Sequence, residues 1–232
     1  RVVGYHWIPG AEQSYRLTIA TDVRLSLPGS SVQQGIVQRI SGTLNMRVFD
    51  QEEGWVRVGF QFDQPNYTLN NKPDEILENG LAAPFAVVFD QTGRPLSFQF
   101  PEALQKTERI ILEESIRTFQ VVFPEEKKAT WTSAEEHATG HYLARYKVRR
   151  DGSIEKKKTR YTEVALSDGD EDPDGGKAEF KQSSSVSRVS AQTAWIHAAV
   201  VQESLTLSGG PGFSTESVMR AELESIPVTF DS

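Results

Sequence analysis

Cysteine is absent from this chain of 232 residues. Its absence excludes disulfides, thiol nucleophiles and cysteine-ligated zinc. Basic residues are also scarce relative to acidic ones, with 25 Lys and Arg against 32 Asp and Glu and a formal net charge of -7. Phosphate binding needs clustered basic side chains, and only residues 156–158 approach a cluster. Nucleic acid is therefore not an expected partner, and a solvated turn is a better interpretation of this lysine run than a site for phosphate or anionic lipid.

Long hydrophobic runs are missing as well. No stretch of about 18 apolar residues occurs, so we expect no membrane-spanning helix. The chain begins at Arg1 without an initiator methionine or a signal-like apolar stretch. We therefore expect a single domain, residues 1–232, that is excised from a longer chain or is its mature form. A removed leader would place the protein in the periplasm or outside the cell.

What the sequence does contain is alternation of apolar and polar residues, the period of half-buried β-strands. Residues 15–25 and 34–50 predict two long strands, with a bulge or bend at Gly42. Residues 55–62 predict a third strand, and the three form an antiparallel meander. Residues 84–100 predict a hairpin that turns at Gly93. Further strands are expected at 140–149, at 154–166, once or twice within 177–208, and at 217–228.

One long helix is predicted from Pro101 to Phe123. Apolar residues recur there at spacings of three and four, and Pro101 suits the first helical position. A short helical turn capped by Asp74 is expected before it. A long amphipathic helix in a β-rich chain has to pack on or inside the sheet.

Two motifs resemble metal sites. Asp170, Asp172 and Asp174 have the spacing of the first half of a calcium loop, but Lys181 stands where the bidentate glutamate belongs. A solvated acidic turn is the favoured interpretation, with calcium as the alternative. His137 and His141 have zinc-like spacing, but Gly140 disfavours the helix that this site would need.

Motifs for catalysis and for nucleotide binding are not found. The sequence has no nucleophile elbow, no phosphate-binding loop and no dinucleotide fingerprint. We expect no cofactor and no enzymatic activity. A hydrolase that uses two carboxylates is a third and disfavoured alternative, since such a pair can meet in space without a sequence trace.

The order of the elements resembles the N-terminal module of the vitellogenin, apolipoprotein B and microsomal triglyceride transfer protein family. The resemblance depends on loosely spaced apolar, aromatic and glycine positions across nearly the whole chain. They lie in residues 14–17, 35–46, 84–93, 117–120, 131–158 and 203–207. The sequence departs from the family at His141, where a cysteine is expected, and it lacks the large helical and lipid-cavity regions that follow the module.

This resemblance implies a mainly β fold, an antiparallel β-barrel with the helix of about 101–123 in its centre, in what we take for a bacterial and secreted relative. It also implies a non-catalytic module of a lipid-transport system that docks a lipid-associated protein or the downstream regions of its own full-length chain. Arg149, Arg150, Lys156, Lys157 and Lys158 are the candidate docking residues.

The second hypothesis is a stand-alone carrier that holds a lipid or another hydrophobic ligand in the barrel. Such a carrier needs an apolar cavity of a few hundred Å³. Its candidate lining residues are Trp55, Phe60, Phe85, Ile111 and Phe119. The simpler interpretation of these five side chains is an ordinary core.

Overall fold

A computed structural model describes residues 4–27, 34–164, 177–209 and 213–227. These residues form twelve strands and two helices. The strands are β1 (Glu12–Ser26), β2 (Gln34–Glu52), β3 (Trp55–Leu69), β4 (Lys72–Pro73), β5 (Phe85–Asp90), β6 (Pro95–Gln99), β7 (Thr130–His137), β8 (Gly140–Val148), β9 (Ile154–Val164), β10 (Lys177–Val189), β11 (Ile196–Gly209) and β12 (Phe213–Ile226); the helices are α1 (Glu75–Leu81) and α2 (Lys106–Phe119).

The strands follow the alternation in the sequence. On β1, Tyr15, Leu17 and Ile19 are buried while the residues between them are exposed, so one face of the strand is dry. The predicted β1–β2–β3 meander is confirmed. So is the bulge at Gly42, where the register between β2 and β3 shifts and a Cβ would lie 3.2 Å from Pro65.

All strands belong to one antiparallel sheet with the order β6-β5-β3-β2-β1-β12-β11-β10-β9-β8-β7, and β4 pairs with β3. The sheet curls far enough that Arg94, beside β6, donates a hydrogen bond from Nη2 to Ser133 Oγ on β7 at 3.3 Å. Within the described residues β6 and β7 do not pair. The predicted closed barrel is therefore corrected to one open, curled sheet.

The prediction of a helix over residues 101–123 is also wrong. Helix α2 has 14 residues and begins at Lys106 after the cap residue Gln105. Arg109 holds the preceding turn in a non-helical path by donating to the carbonyls of Glu102 and Leu104 at 3.1 and 2.9 Å. At the other end the backbone of Gln120 leaves the helix with ψ 132°.

Residues 120–123 run between the two unpaired edges of the sheet. Phe123 donates its backbone N–H to the Thr92 carbonyl at 2.9 Å, next to β5 and β6. On the opposite side the indole of Trp131, on β7, donates to the Val122 carbonyl at 2.7 Å. The segment is buried, and its backbone N–H and C=O groups find partners on both edges of the sheet.

Helix α1 matches its prediction, since Asp74 caps it by accepting the Leu77 N–H at 3.1 Å. Helix α2 packs against the inner face of the sheet, and its buried face joins the main core cluster. That cluster draws on β1, β2, β3, β5, β11, β12 and α2. Among the described residues, neither helix is long and apolar enough to cross a bilayer.

Candidate functional site

The inner face of the sheet is layered, because residues directly opposite one another in an antiparallel pair point to the same side. Around β2, β1, β12 and β11 a dry layer contains Ile40, Ile19, Ala221 and Val201. The next layer, which we call the polar layer, consists of Gln38, Thr21, Met219 and Glu203.

One step further out the face becomes apolar again. This outer layer, which we call the apolar ring, consists of Ile36, Val23, Ser217, Leu205 and Phe180. Its side chains are half-buried or exposed, in contrast to the dry layer below. The ring therefore forms a partly exposed apolar rim on the inner face of the sheet.

A cavity of about 230 Å³ lies between α2 and this part of the sheet. Ile110, Ile111, Glu114, Ser115 and Thr118 of α2 form one wall. The sheet contributes Ile19 and Ile40 of the dry layer, the whole polar layer, part of the apolar ring, and His137 and Tyr161. We call this space the polar-lined cavity.

Glu114 is the carboxylate of the helical wall, and its two oxygens are contacted from the β7–β8 hairpin. Its Oε2 lies 2.7 Å from Nε2 of His137, the last residue of β7, and its Oε1 accepts the Ala138 N–H at 2.7 Å. Burial alone would raise the pKa of Glu114, but His137, Lys158 and the Ala138 N–H together hold it below the ordinary value. Glu114 is thus a carboxylate tied to the β7–β8 turn.

Glu203 is the second carboxylate in the wall. Lys158 Nζ lies 2.8 Å from its Oε2, and both side chains are largely buried. The same ammonium sits 4.8 Å from the centre of the Tyr142 ring and 5.8 Å from that of Phe180, at cation–π distance. The charge of Glu203 is therefore compensated within the wall.

A buried polar cluster lies deeper, between β7, β8 and β9. Glu135 accepts hydrogen bonds from the hydroxyls of Tyr146 and Tyr142 at 2.5 and 3.0 Å, and Lys156 Nζ lies 2.6 Å from its Oε2. Burial is the largest influence on Lys156 and lowers its pKa despite Glu135. Burial and the negative charge of Glu135 raise the pKa of both tyrosines. The cluster is compensated internally, and its residues do not line the polar-lined cavity.

A smaller cavity of about 90 Å³ lies on the other side of α2 and is lined mainly by aromatic and aliphatic side chains. Three buried polar atoms on its lining residues lack a hydrogen-bond partner among the described residues: Trp7 Nε1, Trp195 Nε1 and Gln120 Oε1. Its volume is below the roughly 150 Å³ of the apolar cavity that holds benzene in an engineered lysozyme. We call this space the aromatic cavity.

A shallow groove of about 420 Å³ lies on the outer face of the sheet around Phe49. Phe49 lies flat over Gly59, and Arg57 is bonded to Asp50 at 2.7 Å beside it. Its volume is mostly open to solvent, and its charged groups are already paired. The two interior cavities are therefore better candidates for a site.

The structure divides the five predicted ligand-lining residues among different places. Phe60 and Phe119 line the aromatic cavity, and Ile111 lines the polar-lined cavity. Trp55 and Phe85 line neither; the Phe85 ring stacks 5.6 Å from that of Phe60 within the core. A ligand role for these five residues stays a prediction.

The predicted docking residues divide into two sets. Arg149, Arg150 and Lys157 are exposed on the β8–β9 hairpin. Lys156 and Lys158 are buried, because the register pairs them with the inward-facing Tyr146 and Ala144. These two lysines cannot belong to a surface, so their docking assignment is corrected, and docking by the other three stays a prediction.

The two metal motifs have different outcomes. Asp170, Asp172 and Asp174 lie outside the described residues. Within the described ranges no group of three or more His, Asp or Glu is placed to hold a metal ion, and His137 contacts Glu114 instead.

The residues that sequence reasoning missed are Glu114, Glu203, Thr21 and Ser217. Alternation places Thr21 and Ser217 on the inward face of their strands, but no local signal shows that the four residues meet at one cavity. The signal that could have found them is the strand register, which the sequence alone does not give.

Comparison with solved structures decides the fold. A structure of lipovitellin, described by its lipid–protein interactions, superposes on 98% of this chain with a TM-score of 0.63 and 15% identity. The fold is lipovitellin-like. The present chain spans only 27% of that lipovitellin chain. The S-type phycobiliprotein lyase of Guillardia theta, at a TM-score of 0.27 and 7% identity over 90% of this chain and 85% of that one, is too distant to support an argument.

No family model matches the sequence. No curated protein matches it either. The resemblance to the large lipid transfer proteins is thus supported at the level of the fold.

Proposed function

We propose that this chain is a non-catalytic module of a lipid-transport protein that works by docking. The observation that carries the proposal is that a lipovitellin-like fold covers nearly the whole chain while helix α2 occupies the interior of its sheet. Cavities for drug-sized ligands measure about 300–1,000 Å³. The two interior cavities, of about 90 and 230 Å³, are smaller than that, so bulk lipid would be held elsewhere.

The exposed end of the β8–β9 hairpin is the docking surface that we propose. Arg149, Arg150 and Lys157 lie there around one carboxylate, Glu155, which is 3.5 Å from Arg149 and 3.4 Å from Lys157. The surface therefore has a net positive charge on a chain whose net charge is negative. The partner is a lipid-associated protein or a downstream region of the full-length chain, with acidic side chains that steer the encounter.

The first experiment is native mass spectrometry of the gently purified chain, followed by solvent extraction. We expect a mass of 25.9 kDa without a two-chain lipid. A stoichiometric phospholipid or triacylglycerol would show that the module itself encloses bulk lipid and would overturn the docking proposal.

The docking surface is tested by amine-reactive cross-linking in the producing cell. Lys157 on the proposed surface is compared with Lys72 on β4, which is also exposed. We expect cross-links to another polypeptide, or to a downstream region, at Lys157 and not at Lys72. Equal labelling of both sites would argue against a surface at the hairpin.

A second candidate function, a carrier of one small hydrophobic ligand, is favoured by the polar-lined cavity. Its volume exceeds the roughly 150 Å³ that suffices for benzene. The hydrolase alternative has less support, because an acid catalyst needs a carboxyl with a raised pKa. The shifted carboxyls of the described residues, Glu114, Asp151 and Glu155, all have lowered pKa values.

A further inference from the structure

We infer that the polar-lined cavity binds one small neutral amphiphile, whose hydroxyl-bearing head meets the polar layer and whose single apolar tail lies against the apolar ring. The inference deepens the carrier function proposed above as the second candidate and names its site and ligand class. It is independent of the docking surface on the β8–β9 hairpin.

The tail is specified by the rim of the cavity. The apolar ring offers Val23, Leu205 and Phe180 half-buried on the inner face, and Ile36 is 38% exposed. Across from the sheet, Ile110 of α2 lines the same cavity and is 41% exposed. A tail that lies between these apolar side chains removes their surface from water, which favours its binding.

The head is specified by the polar layer one step deeper and by Ser217, the hydroxyl residue of the apolar ring. Thr21 and Ser217 present hydroxyls to the cavity, and neither hydroxyl makes a hydrogen bond to the part of the chain that the structure describes. Gln38 adds an amide beside them. A ligand hydroxyl both donates and accepts, so it suits this set.

The neutrality of the head follows from the charges in the wall. Both oxygens of Glu114 are already in contact, Oε2 with His137 Nε2 and Oε1 with the Ala138 N–H, and Glu203 forms an ion pair with Lys158. Lys156 in the adjacent cluster is met by Glu135. A carboxylate or ammonium head would therefore enter without a free counter-charge and would lose its hydration.

The size of the ligand follows from the volume of about 230 Å³, which admits a molecule larger than benzene but below drug size. One single-chain alcohol fits this description, with its head and first carbons in the cavity and the rest of its tail along the apolar ring. A two-chain lipid does not.

The test uses displacement of N-phenyl-1-naphthylamine, a neutral fluorescent probe, from the purified chain at neutral pH. Three competitors share one tail and differ in head charge: dodecanol, dodecanoate and dodecyltrimethylammonium. We expect dodecanol to compete at least about tenfold better than either ion, which is the factor that about 1.4 kcal/mol produces. Equal competition by all three would overturn the neutral head, and absence of probe binding would overturn the site.

Two variants place the binding in this cavity. Ser217→Trp fills it from the inner face of β12, whereas Val218→Trp adds the same ring to the outer face one residue later, where Val218 is 37% exposed. We expect Ser217→Trp to abolish probe binding and Val218→Trp to retain it. The reverse result, or loss in both variants with native circular dichroism, would place the binding elsewhere.

Thr21→Val keeps the shape of the side chain and removes its hydroxyl, so it tests the head contact without depending on Ser217→Trp folding. We expect dodecanol to bind about threefold to tenfold more weakly, as for one lost hydrogen bond, while dodecanoate is unchanged. An unchanged dodecanol affinity would contradict the placement of the head. A negative result here leaves the lipid-module proposal standing, because native mass spectrometry tests that separately.

Discussion

The two halves of the sheet bury different chemistry on the same inner face. On β1, β2, β3 and β5 the fully buried part of the inner face is hydrocarbon and includes Leu17, Val48 and Val58. On β7, β8 and β9 it contains Glu135, Lys156 and the tyrosines of β8. The first half is stabilised by non-directional burial, and the second depends on groups that must remain paired. The difference teaches that this fold needs a matched set of polar partners as well as a hydrophobic core.

The largest effect is expected from breaking the paired half. Glu135→Leu leaves Lys156 buried without its carboxylate, and we expect a loss of about 3–5 kcal/mol in the free energy of unfolding. Denaturant titration measures it. The double variant Glu135→Leu/Lys156→Met removes both charges and should recover most of the loss. If the single and double variants are equally unstable, the pair is not what holds this half together.

Breaking the hydrocarbon half should cost somewhat less. Leu17 is fully buried on β1, and Leu17→Ala should lower the free energy of unfolding by about 3 kcal/mol through lost transfer energy and a cavity. A second substitution is not expected to restore stability in this case, because Leu17→Ala leaves no unpaired charge to remove. A loss below about 1 kcal/mol would mean that this half is loosely packed.

Glu114, on helix α2 between the two halves, should make the stability of the fold depend on pH in the acid range. The pKa of Glu114 is lowered in the folded state from its ordinary value of 4.5. Its contribution to stability is therefore fully present above pH 4.5 and is lost as the pH falls through the pKa of the folded state. Glu114→Gln should cost about 1–2 kcal/mol at neutral pH and remove this part of the acid sensitivity. Unfolding titrations across the acid range measure it, with the exposed Glu125→Gln as control. An unchanged acid profile would contradict the role of Glu114.

The smallest effect sharpens the comparison within one strand. Lys157 points outward between the buried Lys156 and Lys158, and its contact with Glu155 at 3.4 Å is solvent-exposed. Lys157→Gln should change stability by less than about 0.5 kcal/mol. Lys156→Gln should cost several times more, since it leaves Glu135 buried without its ammonium. Similar values for the two variants would show that β9 does not alternate as described.

The hydrocarbon half could be predicted from the sequence, and the paired half could not. Alternation around Leu17 and Ile40 identifies the buried face of each strand, because apolar side chains are favoured in the interior and not in water. The same alternation at Lys156 and Lys158 favours an exposed face, since lysine is rarely buried unless it is paired. Only the register with β8, which sets Lys156 opposite Tyr146, shows that these lysines point inward.

The helix was mispredicted for a related reason. The apolar spacing that predicts α2 continues through Val121 to Phe123, but these residues are buried as an extended segment between two strand edges. A short apolar pattern indicates that side chains are buried, but it does not distinguish a helical backbone from an extended one. The polar-lined cavity was out of reach for the same reason, because it is made by residues from seven separate strands and a helix.

The position of β1 between β2 and β12 has a consequence for how the chain folds as it is synthesised. One side of β1 is satisfied by its neighbour in sequence, but the other side waits for the last strand of the described chain. Contacts between residues so far apart in sequence make folding slow, because the entropy of closing a long loop is lost before the strand contacts stabilise the structure. A nascent chain therefore carries an exposed strand edge on β1 until β12 has been synthesised, and this is the interval in which a chaperone would be of most use to it.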